Sequence, residues 1–559
     1  MSAQNKRTSF LVFCAAAVLA AGLVRPVFAA SIVHSKHNLS ASGTGSVKAV
    51  AESEVCIFCH IPHNANSQAP LWSRYETGRI YIPYTSATMK ASAGQPTGAS
   101  KLCLSCHDGT VAMGMVRSRQ TSIPFTGPLT PQTNLGIDLS DDHPVSFTYD
   151  SSLTSRNPTL QDPSALTGRV RLDRSSQMQC TSCHDPHNDE FGDFLVINPA
   201  NSALCTQCHN QPGWAGSPHN LSPKPFSGVP VGQNPPRWGT VAQVGCQACH
   251  TPHAAGGKKR LLYFSEEEKN CTSCHDGRTS PKNIAAELNK PSAHPVRLST
   301  GLHDPAENAL LRSPRHAECA DCHNPHAADD RDAGRLPGSL RSVKGVNAAG
   351  EEINPVNFEY ELCFRCHADT AAGKTYVNRQ FAETNTRLEF DPANASYHPV
   401  ENIGKNPDVP SLIAPYTASS VMECTSCHNN NAGPNRSGTG PNGPHGSVYA
   451  PLLERQMSWS DGLSESPASY ALCYKCHDRN NLLDDRSFPS HKKHVQEAKA
   501  SCLACHDPHG VKDTTHLINF DSTVVTPNAV GRLSFEDLGR FKGRCYLSCH
   551  GKDHNPKSY

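Results

Sequence analysis

Nearly all the chemistry-bearing residues of this chain fall in one spacing: two cysteines three apart, with a histidine directly after the second. The pattern occurs eleven times, as Cys56/Cys59/His60, Cys103/Cys106/His107, Cys180/Cys183/His184, Cys205/Cys208/His209, Cys246/Cys249/His250, Cys271/Cys274/His275, Cys319/Cys322/His323, Cys363/Cys366/His367, Cys424/Cys427/His428, Cys473/Cys476/His477 and Cys502/Cys505/His506. A twelfth set, Cys545/Cys549/His550, carries one extra residue between its cysteines. Only Cys14 stands outside these sets. The spacing is the attachment signature of c-type haem, two thiols forming thioethers and the adjacent histidine reaching the iron from one face. A zinc ribbon pairs two Cys-x-x-Cys knuckles without needing that histidine. A disulfide framework gives no reason for it either. Twelve repetitions leave haem as the reading.

The remaining histidines supply the second face of each iron. His187 follows His184 with only Asp185 and Pro186 between them, so the two lie at most about 10 Å apart along the chain. That is too short a reach around a porphyrin edge; His187 ligates a different haem or none. Each odd-numbered motif is followed by such a histidine: His63, His187, His253, His326, His445 and His509. Each is also preceded by one: His37, His143, His219, His294, His398, and either His491 or His494, of which His494 is taken. These twelve give one distal ligand per haem. His34, His303, His316 and His516 are surplus, as is His554; His316 and His554 are the natural substitutes. Met113 and Met115 are expected to pack on a porphyrin face rather than bind iron.

The motifs alternate in kind. An A type carries Pro-His three residues on, as in CTSCHDPH at 180–187; a B type lacks it and has Leu or Asn before its first cysteine. At 424 the Pro-His is displaced to GPHGS, 443–447. A-B recurs six times, the mark of a linear array. The expected divisions are a signal peptide at 1–29, then dihaem units at 30–125, 126–215, 216–285, 286–385, 386–480 and 481–559. Lys6 and Arg7, the apolar stretch 9–24 and Val27-Phe28-Ala29 form the signal pattern, and Cys14 departs with it.

The apolar fraction, 37%, is below the roughly 45–50% of ordinary domains. With 43 prolines, 39 glycines and about 45 residues per attachment site, haem must replace side chains as the core. The expected fold is irregular, mostly loops with short α-helices at the B motifs and little β, an elongated six-unit array of dihaem modules that does not fold without its haems. Removing Lys6, Arg7 and Arg25 leaves 48 basic against 50 acidic residues, a net of −2, and haem propionates add further negative charge. Nucleic-acid binding, which needs a basic face, is disfavoured.

The text SKHNLS (35–40), CIFCHIPHNAN (56–66) followed by PLWSRY, the HPV segments, ECADCHNPH (318–326) and KASCLACHDPHG (499–510) resembles the doubled-CXXCH multihaem c-type cytochromes of metal-reducing bacteria. The resemblance implies about twelve covalently attached haems c, each between two histidines, in an electron-transfer protein rather than an enzyme. It implies respiratory electrons moving towards metal oxides or other acceptors outside the cell, and a place in the periplasm, on the outer membrane or beyond it. Partners would be other periplasmic or outer-membrane cytochromes, a porin-type conduit, a metal oxide, or further copies of the chain in a homo-polymer. Two histidines saturate an iron and favour a low potential. The competing function is a reductase or dehydrogenase acting on a small nitrogen or sulfur compound, which would need an iron with an open position.

Overall fold

The computed structural model describes residues 31–559 apart from 64, 66–70, 228–238, 257–258, 298–302, 305–306, 308–316, 330, 332–333 and 370–375. The expected signal segment and His316 lie outside the described residues. Among these, no helix is long and apolar enough to cross a membrane.

Regular structure comes in pieces of one to three turns. Each of the first eleven motifs closes one helical turn, in which the histidine N–H donates to the carbonyl of the first cysteine, as in His184 to Cys180 at 3.0 Å, His209 to Cys205 at 2.9 Å and His506 to Cys502 at 3.0 Å. Positions i, i+3 and i+4 of a helix share a face, so one turn aims both thiols and the imidazole the same way. At A motifs the turn stands alone, as in Cys180–Cys183, Cys319–Cys322 and Cys502–Cys505. Ser501 caps the last of these, its hydroxyl accepting from the Ala504 N–H at 3.1 Å.

The two longest helices carry B motifs, as expected. Helix α1, Gly98–His107, buries Leu102 and Leu104. Helix α2, Glu359–His367, starts where the Glu361 carboxylate accepts from the N–H groups of Asn357 (2.6 Å) and Phe358 (3.0 Å), satisfying donors with no intrahelical partner. Acids in its first turn and Arg365 and His367 in its last suit the helix dipole. Its Phe364 is fully buried with Val346, Tyr360, Ala368, Phe390 and Val400. The B motifs at 205 and 473 form only single 3-10 turns.

The twelfth motif departs from the helical expectation: it lies on a strand. The C-terminus forms a four-stranded antiparallel sheet of β1, Val525–Thr526; β2, Ser534–Asp537; β3, Gly543–Cys549; and β4, Lys552–Ser558. Strand β3 pairs with all three others, Cys549 opposite Val525, Cys545 opposite Phe535 and Leu547 opposite His554. Side chains alternate along a strand, so Cys545 and Cys549, four apart, lie on one face of β3, and His550 falls just past its end.

Buried apolar side chains fall into eight clusters of three to six residues each, far less than a single core. Between them run two long cavities of about 3740 and 2350 Å³. Every cysteine and histidine of the twelve motifs lines one or the other, and Cys271, His275, Cys319 and His323 line both. Buried arginines stitch the thin walls. The fully buried Arg74 donates to the carbonyls of Ser105, Ala112 and Met113 at 2.7–3.3 Å. Arg365 pairs with Asp321 at 2.9 Å, and Arg379 donates to Leu503 O and Asn519 O at 2.7 and 2.9 Å.

Candidate metal centres

Around these cavities the histidines stand in facing pairs. An imidazole binds a first-row metal at about 2.0 Å, and the ring centre lies about 1.1 Å behind the nitrogen, so two rings on opposite faces of one ion have centroids about 6.2 Å apart. Ten motif histidines meet a spare histidine at that spacing. The pairs are His60–His187 (6.1 Å), His107–His37 (6.2 Å), His184–His253 (6.1 Å), His209–His143 (6.2 Å), His250–His326 (6.2 Å), His275–His219 (6.1 Å), His323–His445 (5.9 Å), His367–His294 (6.4 Å), His428–His509 (6.3 Å) and His506–His491 (6.4 Å). His477 lies near enough to His398 to feel its charge.

A rule of register runs through the pairs. The Pro-His histidine of each unit faces the A motif of the unit before it: His187 faces His60, His253 faces His184, and so on to His509 and His428. The histidine that opens a unit faces that unit's own B motif. The two sets are tied together through the proline. His37 Nδ1 bonds to Pro186 O (3.2 Å), His219 Nδ1 to Pro325 O (2.8 Å), His294 Nδ1 to Pro444 O (2.9 Å) and His398 Nδ1 to Pro508 O. In the second unit the His143 N–H donates to Pro252 O at 2.8 Å. The prolyl carbonyl thus orients one ligand while the next residue is another.

These bonds also choose the tautomer. With Nδ1–H donated to a carbonyl, Nε2 keeps its lone pair for a metal. The A-motif histidines do likewise: His184 to Asp193 O (2.8 Å), His250 to Arg260 O (2.7 Å) and His506 to His516 O (2.9 Å). All three acceptor residues sit in left-handed backbone, at φ 51°, 56° and 57°. This is a repeated local strain that turns a carbonyl towards the ring. Burial then pushes His37, His209, His275, His326, His428, His477 and His506 down to about 4 and His445 to about 3, so all stay neutral and ligand-competent near pH 7. His253 and His509 go the other way. Burial lowers them too, but hydrogen bonds to Asp142 and Glu389 prevail and raise both.

The thiols form a continuous series. The first cysteine of each of the first five B motifs lies beside the first of the following A motif: Cys103 by Cys180, Cys205 by Cys246, Cys271 by Cys319, Cys363 by Cys424 and Cys473 by Cys502. Within a unit the second cysteines act on one another, Cys59 with Cys106, Cys183 with Cys208 and Cys249 with Cys274. Spatial order therefore follows sequence order. Paired imidazoles of the right tautomer, thiols beside them and a large apolar cavity between fit haem at eleven positions.

The two ends differ from the expected ligand set. His63 is exposed and takes part in none of these pairs, because by the register rule its A-motif target would lie in a unit before the first. Both His491 and His494 face another histidine, rather than one of them. His491 meets His506, the A motif that has no following unit. His494 meets His554 at 6.4 Å, whereas His550, at φ 50°, turns its Nε2 to Asp461 at 2.5 Å. The Tyr559 hydroxyl lies 3.1 Å from His554 Nδ1 and 3.5 Å from His494 Nε2. The twelfth site thus brings together His494 and His554 in place of His550.

Comparison with known proteins agrees with this geometry. Residues 349–517 match the family described as outer membrane cytochrome MtrC/MtrF-like, domains II/IV, and residues 175–213 and 239–280 match the doubled CXXCH motif. The chain is a multihaem c-type cytochrome. It is also 28% identical over 165 residues to the multiheme cytochrome MtrA of Shewanella baltica (strain OS185), over 27% of this chain and 36% of that relative. The match thus spans about a third of the relative's length. Covalently bound c-type haem and electron transfer follow for this cytochrome.

The Pro-His and His-Pro-Val texts singled out ligands in the sequence. The proline carbonyls, the left-handed acceptor residues, Asp142 and Glu389 were not singled out there. One signal was present: an apolar doublet eleven or twelve residues after most A-motif histidines, whose second residue bridges back to it, as in His184 with Leu195, His250 with Leu262 and His506 with Ile518.

Proposed function

We propose that this cytochrome is a linear electron conductor of twelve haems in sequence order, passing respiratory electrons towards acceptors outside the cell such as iron or manganese oxides. The ordered series of facing imidazole pairs, from His107–His37 and His60–His187 to His506–His491, carries the reading. Bound haem supplies the one-electron chemistry. The chain's own residues fix each position, occupy both faces of the irons and keep them buried. With eleven positions flanked by two imidazoles, little room remains for a bound substrate, so transfer rather than catalysis is the role. The chain works among exported redox proteins of the periplasm or outer membrane, in keeping with the outer-membrane description of its matched family.

Intact mass together with EPR of the oxidised holoprotein tests this. Twelve haem equivalents and only low-spin ferric signals are expected. A strong high-spin signal would overturn the conductor reading in favour of a reductase.

A further inference from the structure

Among the A-motif caps, two differ from the rest in what their outer nitrogen touches. His253 Nδ1 lies 2.9 Å from Asp142 Oδ1, and His509 Nδ1 lies 3.0 Å from Glu389 Oε2. Both carboxylates are sequestered, their side chains 7% and 13% exposed. The nearest basic side chain by Glu389, Arg379, is committed to Asp507 at 3.4 Å and to two carbonyls. At other positions along the series whose contacts are described, the outer nitrogen meets a neutral group or a solvated one. The opening histidines of the first, third, fourth and fifth units meet prolyl carbonyls, His477 meets the Ser411 hydroxyl at 3.0 Å, and His445 and His491 have a buried Nδ1 with no hydrogen-bond partner. His187 lies 3.6 Å from Asp185, with both side chains well exposed.

We propose that Asp142 and Glu389 are positioning residues that make the haems at Cys180/Cys183 and Cys424/Cys427 the lowest-potential members of the series. This rests on the conductor reading above. A carboxylate on the outer N–H makes the imidazole a stronger donor, and a buried negative charge behind it favours the ferric over the ferrous iron. The carboxylates reach their targets by unrelated routes. Asp142 directly precedes His143, which faces the neighbouring B motif, whereas Glu389 ends the short helix Thr386–Glu389, nine residues before His398. The same contact built twice from different sequence contexts, three units apart, points to selection of the contact itself. In attachment order the two sites are the third and the ninth of twelve. They divide the chain into a pair, a run of five and a run of three, each separated from the next by one uphill step for an electron.

Asp142→Asn and Glu389→Gln keep an oxygen acceptor in place and remove only the charge. Stepwise redox titration of the fully loaded holoprotein, followed by EPR of the low-spin signals, should show one late-reducing component moving earlier in each variant. At the poise where that component is half-reduced in the wild type, its reduced-to-oxidised ratio should rise about tenfold, and both components should move in the double variant. Asp142→Glu should largely retain the wild-type curve. Titration curves that superimpose on the wild type, with all haems present and low-spin, would overturn the carboxylate assignment while leaving the conductor reading intact. High-spin or missing haem in the wild type would overturn both.

Discussion

The first five units and the sixth use the same thiols and histidines in two ways. In the first five, each A-motif histidine faces a ligand sent back from the unit after it, and a prolyl carbonyl couples that ligand to the neighbouring one. The sixth departs from this. His491 faces its A motif from within the unit, and a four-stranded sheet replaces the B-motif helix. The strand setting of Cys545 and Cys549 is part of that difference: it leaves His550 just past the end of β3.

The widest separation between the two regions should come from removing attachment. Cys180→Ala with Cys183→Ala should cost one haem by intact mass and most of the recoverable holoprotein, since the third site is walled by three units. Cys545→Ala with Cys549→Ala should cost one haem while the remaining chain stays protease-resistant. Survival of both variants alike would erase the distinction.

Ligand removal should separate the regions next. His428→Ala should produce a high-spin ferric signal, whereas His550→Ala should leave the low-spin count unchanged, because its imidazole is engaged by Asp461. A new high-spin signal in His550→Ala would make the sixth unit ordinary.

Smaller effects probe the scaffold. Glu361→Ala leaves the N–H groups of Asn357 and Phe358 without their acceptor and should cost about 1–2 kcal/mol in denaturant titration of the holoprotein. His303 is raised to about 9: burial alone would lower it, but hydrogen bonds to Asp321 and Glu318 prevail. Its folded value lies above the unfolded one of about 6.5, so its contribution is complete below pH 6.5 and is lost as pH rises through 9. Melting temperatures across pH 6–9.5 should fall in the wild type and fall less in His303→Gln. Smallest of all, Arg540→Ala breaks an exposed ion pair with Asp408, which lies in the 386–480 segment, and should leave the melting temperature of the holoprotein unchanged within error.

Much of this was legible in advance, for a physical reason. Covalent attachment fixes residue identity and spacing, so Cys-x-x-Cys-His announces itself wherever the local turn forms. The separation of His187 from its own iron followed from chain length alone. Which iron His187 does face could not follow, because that depends on how successive units stack. His63, equivalent in text to His187, stands at the end of the series without a target. His550 differs for a related reason: the motif lies on a strand, and its imidazole faces Asp461 instead of a second histidine. Asp142 and Glu389 share no motif and are defined only by what packs against them.

The prolyl carbonyl between two ligands also imposes an order on biosynthesis. An A site is finished only when the following unit has crossed the membrane and folded back, so maturation runs in one direction and stays one unit behind the emerging chain. A chain cut after residue 480 would therefore end not in a shorter conductor but in an iron at Cys424/Cys427 with one face open. Such a site could bind small molecules that the intact protein excludes.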